Sequence, residues 1–169
     1  MDTLNFKPTF LGQCIIKYQV PLDVFMSINQ IYEQNYNSLA PANGQLVGKI
    51  EKEHSLFYHG EDQTKMKNHN FIPKNVTDYF MQVFNHYLKF NAIRDYKTHL
   101  NSIWVNEMKQ HEYNPAHIHR GMLYTGLSSV MILKLPSTYG KEYSAEHVQQ
   151  NGRLQILGAA NGQFAKIDY

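Results

Sequence analysis

Cysteine is nearly absent from this chain: Cys14 is the single one among 169 residues. One thiol excludes an intrachain disulfide framework, and a reducing, cytoplasmic setting is the expected one. Strong charge of one sign is missing as well. Sixteen Lys and Arg face fourteen Asp and Glu, a formal net charge of +2, and no long block of like charge occurs. That balance calls for neither nucleic acid nor a membrane surface as partner. No apolar run approaches the ~20 residues needed to cross a bilayer as a helix. No charged start followed by a continuous apolar core marks a secretory signal, so Asn75-Val76-Thr77 is expected to be an incidental glycosylation sequon. A phosphate-binding glycine loop and a defensible Ser/His/Asp order are also lacking, and Cys14, in an apolar run, reads as a buried, inert thiol. Internal repeats and low-complexity tracts do not occur. The length suits one domain, 1–169, with a real core, and is short for two.

Histidine and tyrosine are what the chain does have, nine and twelve residues respectively. Imidazole binds metals and titrates near neutral pH, which makes the histidines the more informative set. Along the chain, Gln13 to Tyr18 suits an opening strand, and Pro21 sits well at a helix start. From Leu22 to Gln34 the spacing of Leu22, Phe25, Ile28 and Tyr32, widened by Val24 and Ile31, predicts an amphipathic helix packed on a sheet. Residues 35–72 read as loops and short pieces, a candidate lid over a site. A second helix is predicted after Pro73, with Asn75 as its cap, Asp78 near the positive end of its dipole, and Val76, Tyr79, Phe80, Val83, Tyr87 and Phe90 along one side as core.

The second half reads as strands: 102–108 (SIWVNEM), 128–135 (SSVMILKL, closed by Pro136) and 153–157 (RLQIL). Asn161-Gly162 then signals a hairpin turn between two strand-like segments. Helices followed by strands predict an α+β fold, a β-sandwich or barrel buttressed by N-terminal helices. Residues 1–100 would supply a strand, helices and loops, and 101–169 the remaining strands.

The stretch EYNPAHIHRG, 112–121, carries His117-x-His119. Along a strand, residues two apart project to the same face, so both imidazoles would point together and suit one metal ion. Alone, the pair is a weak signal in a chain with nine histidines, and two ordinary polar side chains beside a turn are the plain alternative. Its position between a strand-like W-V-N segment and the most apolar run of the chain strengthens the ligand reading.

Taken together, Trp104-Val105-Asn106, His111-Glu112-Tyr113-Asn114-Pro115, His117-x-His119, Gly126 to Val130 and Leu133-Lys134-Leu135-Pro136 resemble a family. These residues are similar to proteins of marine cyanobacterial tailed phages that are assigned to the 2-oxoglutarate/Fe(II)-dependent oxygenases. The resemblance covers residues 100–157 in detail and the helical half loosely. It implies a double-stranded β-helix, or jelly-roll, cupin-like in outline. Fe(II) would sit at one end with 2-oxoglutarate as chelating cosubstrate, in a dioxygenase that hydroxylates a C–H bond of an unidentified substrate. His117 looks like the first iron ligand. His119 stands where relatives usually place Asp or Glu, and is either a ligand in an all-histidine site or a neighbour of one. Zn(II) also accepts three histidines. Asn106 would line the cosubstrate pocket, or simply end a strand. Tyr124 would donate a hydrogen bond to a bound carboxylate, or simply pack.

Two departures accompany the resemblance. Ile132 stands where relatives often carry Tyr, with Lys134 turned to the opposite face. After Gly152 there is no histidine, and Arg153 and Lys166 are the basic residues, where the family expects a second strand-borne ligand and a basic partner for the cosubstrate. A chain truncated at its C-terminus is one reading; a chain that has lost the iron site is the other. The second would make it a non-catalytic jelly-roll module of a phage particle, located in the virion. The enzyme would act in the cytoplasm of the phage-infected bacterial cell. Neither reading involves a membrane.

Overall fold

The computed structural model describes residues 4–10, 14–58, 72–117, 126–140, 152–160 and 163–168. Among the described residues the architecture is α+β, two α-helices with antiparallel sheets of two, three and two strands, and the strands form no closed barrel. Two compact units divide the chain, Gln19–Ser128 in one and Met1–Tyr18 with Ser129–Tyr169 in the other.

The 19–128 unit holds both helices. Helix α1 (Leu22–Asn35) starts directly after Pro21, whose carbonyl accepts the first helical bond from the Phe25 amide at 3.0 Å. Val24 and Ile28, one turn apart, are its buried positions, Phe25, Ile31 and Tyr32 are half-buried, and Leu22, first in the predicted stripe, is exposed, so the buried stripe is narrower than predicted. Helix α2 (Lys74–Phe90) buries Val76, Tyr79, Val83 and Leu88, whereas Phe90 is exposed. Its cap corrects the sequence reading. Pro73 occupies the N-cap position with no side-chain cap, and its carbonyl accepts from the amides of Val76 and Thr77 at 3.1 and 3.3 Å. Asn75 lies within the first turn, because the fixed φ of proline makes Pro73 the better boundary.

The three-stranded sheet of this unit runs β3 (Ala40–Pro41), β4 (Lys52–Tyr58) and β5 (Ser102–Glu107), with β4 in the centre. β5 matches the predicted W-V-N strand, whereas β4 falls in a stretch read as loops. Its sequence, KEHSLFY, hides the strand for two reasons. Its inward positions Glu53 and Ser55 are polar though buried, and a register shift between Ser55 and Phe57 places the fully buried Leu56 out of alternation. The ladder pairs Lys52 with Glu107, Glu53 with Asn106, His54 with Val105 and Ser55 with Trp104. Alternate pairs face opposite ways, so Lys52, His54, Val105 and Glu107 share one face, and Glu53, Ser55, Trp104 and Asn106 the other.

In the other unit, β1 (Phe6–Phe10) pairs antiparallel with β2 (Cys14–Tyr18), which agrees with the opening-strand reading, and Cys14 is buried. β6 (Gln155–Ala160) pairs with β7 (Gln163–Asp168), with Ala160 opposite Gln163. The hairpin predicted around Asn161-Gly162 is present as a strand pair; the two turn residues themselves lie outside the described residues. The predicted strand 128–135 is a correction. These residues pair with no strand among the described residues, and Val130, Ile132 and Leu135 are exposed. An apolar run indicates what prefers burial, but a strand exists only where a second backbone pairs with it. Gly152, at φ 67°, lies under the Tyr139 ring, where an added Cβ would come within 2.2 Å of Cδ1. No described helix is long and apolar enough to cross a membrane.

Candidate functional site

The His117 segment is built on a strap, residues 109–117, laid across the loop at 48–51. His111 takes a left-handed conformation, φ 67°, and the Glu112 amide closes the turn on the Lys109 carbonyl at 3.1 Å. The turn brings the Glu112 carboxylate to two backbone donors: Oε1 accepts from the Glu51 amide at 2.9 Å, Oε2 from the Lys109 amide at 2.7 Å. Those two bonds, with smaller help from the Lys109 and Lys49 charges, hold its carboxyl below the usual carboxylate value. Tyr113 pairs with Lys49 through both backbone bonds, at 2.8 and 3.0 Å. Gly48 lies beneath this crossing, where a Cβ would be 2.2 Å from the Tyr113 carbonyl oxygen and 2.9 Å from Pro115 Cδ. Asn114 Oδ1 is buried there with no hydrogen-bond partner among the described residues.

The strap ends on His117. Its Nδ1 lies 2.7 Å from the Pro115 carbonyl oxygen. A carbonyl only accepts, so Nδ1 carries the hydrogen, and in the neutral ring the lone pair falls on Nε2. Many metal-binding histidines are prepared this way, with one ring nitrogen tied to an oxygen acceptor and the other left as the donor to the metal. The side chain is exposed. His119 and Tyr124, the other named candidates, lie outside the described residues.

Asn106 sits on β5 with an exposed side chain and hydrogen-bonds Glu53, its cross-strand neighbour. Glu53 is only 5 % exposed, and burial pushes its carboxyl up, an effect that the Asn106 bond partly offsets. Asn106 is therefore more than the end of a strand. Its amide serves a buried acid that sequence reasoning did not single out.

The opposite face of the same ladder meets α1 through a second polar cluster. Tyr32 donates to Glu107 Oε1 at 3.0 Å, and Tyr36, just past the end of α1, donates to Oε2 at 3.3 Å. His54 Nδ1 lies 3.1 Å from the Tyr32 hydroxyl. The one Tyr32 hydroxyl proton is committed to Glu107, so His54 makes this contact as an Nδ1–H donor. Lys52 hydrogen-bonds the Tyr36 hydroxyl, and its ammonium also stands 4.9 Å from the Tyr36 ring centre. Both tyrosine rings pack against the His54 imidazole, at 5.8 and 4.9 Å between centroids. Burial, followed by the bond to Glu107, raises the Tyr32 pKa well above the ordinary phenol value.

Sequence reasoning missed this cluster, since its members stand at 32, 36, 52, 54 and 107 and share no motif. The pairing of Lys52 with Glu107 is what assembles them. A weaker clue was the i, i+4 spacing of Tyr32 and Tyr36 at one helix end.

No three His, Cys, Asp or Glu side chains converge to hold a metal ion among the described residues. Of the two ligands predicted from the sequence, His117 is the one that lies among the described residues. Comparison with protein-family models, curated proteins and solved structures gives no significant match.

Proposed function

We propose that the chain is a non-haem Fe(II)- and 2-oxoglutarate-dependent dioxygenase that hydroxylates an unidentified substrate, on a jelly-roll scaffold of the phage oxygenase type. The observation that supports this reading is the mounting of His117. A clamped, glycine-seated strap carries an imidazole whose Nδ1 is tied to the Pro115 carbonyl, the arrangement that puts the lone pair of the neutral ring on Nε2.

On this reading His117 holds the iron, and His119 contributes the second imidazole of the H-x-H pair. Bound iron and 2-oxoglutarate would supply dioxygen activation, with the cosubstrate decarboxylated as the substrate is hydroxylated. The chain's own residues prepare the site. Glu112 keeps the turn of the strap in place through two amides, ahead of His117 in the chain. Asn106 has two amide N–H donors, so bonding Glu53 with one leaves the other for a cosubstrate carboxylate. Tyr124 would donate its hydroxyl to the same cosubstrate. The setting is the cytoplasm of an infected bacterial cell.

The test is an anaerobic titration of the purified protein with Fe(II) and 2-oxoglutarate. The expected result is a weak visible charge-transfer band that His117→Ala abolishes. Absence of the band, or a His117→Ala protein that matches the wild type, overturns the proposal. Tight zinc without cosubstrate dependence would point instead to a three-histidine site.

A further inference from the structure

The Tyr32 cluster lies on the α1 face of the ladder, and the proposed function gives it no role. We propose that Tyr32 is a redox-active tyrosine. A one-electron oxidant of the peroxyl-radical class takes an electron from its phenol and becomes the peroxide anion, the hydroxyl proton passes to Glu107, and a neutral tyrosyl radical remains.

The chemistry demands a specific geometry. A phenol that loses an electron alone becomes a very strong acid, so its oxidation is accessible only where a base already accepts the hydroxyl hydrogen. Glu107 Oε1 accepts it from Tyr32 at 3.0 Å. Deprotonation without electron loss is disfavoured, because burial and the neighbouring carboxylate both oppose the phenolate. Electron and proton therefore leave together. His54 supplies the second requirement. Its Nδ1–H, 3.1 Å from the same oxygen, hydrogen-bonds the phenoxyl oxygen once the original hydrogen has gone.

The cluster also selects between its two phenols. Tyr36 donates to the other oxygen of the same carboxylate, at 3.3 Å, and its ring is 5.5 Å from that of Tyr32. The Lys52 ammonium hydrogen-bonds the Tyr36 oxygen and stands 4.9 Å from its ring centre. A cation at that distance makes removal of an electron from Tyr36 harder. The radical consequently rests on Tyr32, with Tyr36 as a neighbour that exchanges with it. In the balanced step Tyr32 gives one electron to the oxidant and one proton to Glu107, which becomes a carboxylic acid. A thiol or ascorbate-type reductant returns the electron, and Glu107 returns the proton.

The proposal is independent of the iron reading, so its test uses metal-free protein and a photochemical oxidant. Flash photolysis with tris(bipyridyl)ruthenium and persulfate, in the presence of a nitroso spin trap, is followed by electron paramagnetic resonance and peptide mapping. In the wild type the adduct is expected on Tyr32, with a solvent deuterium isotope effect on radical formation. Tyr36→Phe retains the Tyr32 adduct, Tyr32→Phe removes it, and Glu107→Gln, which keeps the side-chain shape but removes the base, lowers its yield several-fold. Labelling confined to other tyrosines, or a Glu107→Gln protein that equals the wild type, overturns the proposal. If Glu107→Gln does not fold, the wild-type adduct map and isotope effect decide the matter by themselves.

Discussion

Two regions of the 19–128 unit hold chemically capable side chains in opposite ways. The strap carrying His117 is held through backbone: a two-bond bridge between Lys49 and Tyr113, two amides on Glu112, and a glycine that lets the chains cross. The α1 face of the ladder is held through side chains, with one carboxylate joining two tyrosines and a histidine beside them. A backbone-held site tolerates many side-chain changes but fails at the few positions where the chains touch. A side-chain-held site feels each member and responds to pH.

The sharpest way to break this contrast is Gly48→Ala. A Cβ at 2.2 Å from the Tyr113 carbonyl oxygen cannot be accommodated by rotating a flexible side chain, since its neighbours are backbone and a proline ring. A loss of about 3 kcal/mol is expected, of the size of severe overpacking, read as a lower urea midpoint at unchanged slope. An unchanged midpoint would show that the strap is not seated as described.

Next in size is the side-chain cluster. Tyr32→Phe and Glu107→Gln should each cost ~1 kcal/mol, discounted from the usual worth of a hydrogen bond to a charged group because the site is only part-buried. A double-mutant cycle should give a joint loss smaller than the sum of the two, as for partners in one network. The pH dependence follows from the raised Tyr32 value. The native protein keeps this proton where the unfolded chain, near pH 10.0, releases it. Its contribution is therefore complete below that value and declines as pH rises above it. Alkaline titration of stability in the wild type and in Tyr32→Phe checks this, with the flatter curve expected for the variant.

Glu112 has the opposite sign. Its lowered folded value means that stabilisation is present above the ordinary carboxylate value and is lost as pH falls through the lower folded one. The amide proton shifts of Glu51 and Lys109 should move together in that acid range, and Glu112→Gln should remove the titration. Amide shifts that do not respond to acid would detach Glu112 from the strap. Least is expected of Lys109→Met. Its ion pair with Glu51 spans 3.3 Å with both side chains more than half exposed, so stability should change by no more than ~0.5 kcal/mol. A larger loss would mean that the strap relies on side-chain charge after all.

The sequence was readable where structure is local. α1 and α2 follow from 3.6-residue spacing, and β5 from its apolar alternation. The two segments that misled show the limit. SSVMILKL looks like a buried strand yet has no ladder among the described residues, whereas KEHSLFY looks like a loop yet is the central strand, since its pairing to both neighbours outweighs polar positions and a bulge. The same limit governs the sites. E-Y-N-P and His117 stood out in the sequence as a candidate stretch. The partners that make Glu112 a clamp, however, are the amides of Lys109 and of Glu51, the latter 61 positions away. Asn106 was singled out for a cosubstrate, and the structure adds a buried acid beside it that no motif announced.

What the sequence determines by itself is therefore the helices, the W-V-N strand and the hairpin around Asn161-Gly162. Each rests on residues within a few positions of one another. Tertiary structure alone decided which nitrogen of His117 is tied to the strap, why position 48 must be glycine, and that Tyr32, Tyr36, His54, Lys52 and Glu107 form one cluster. These depend on strand pairing and chain crossing, which bring together residues whose separation along the chain carries no signal of their contact.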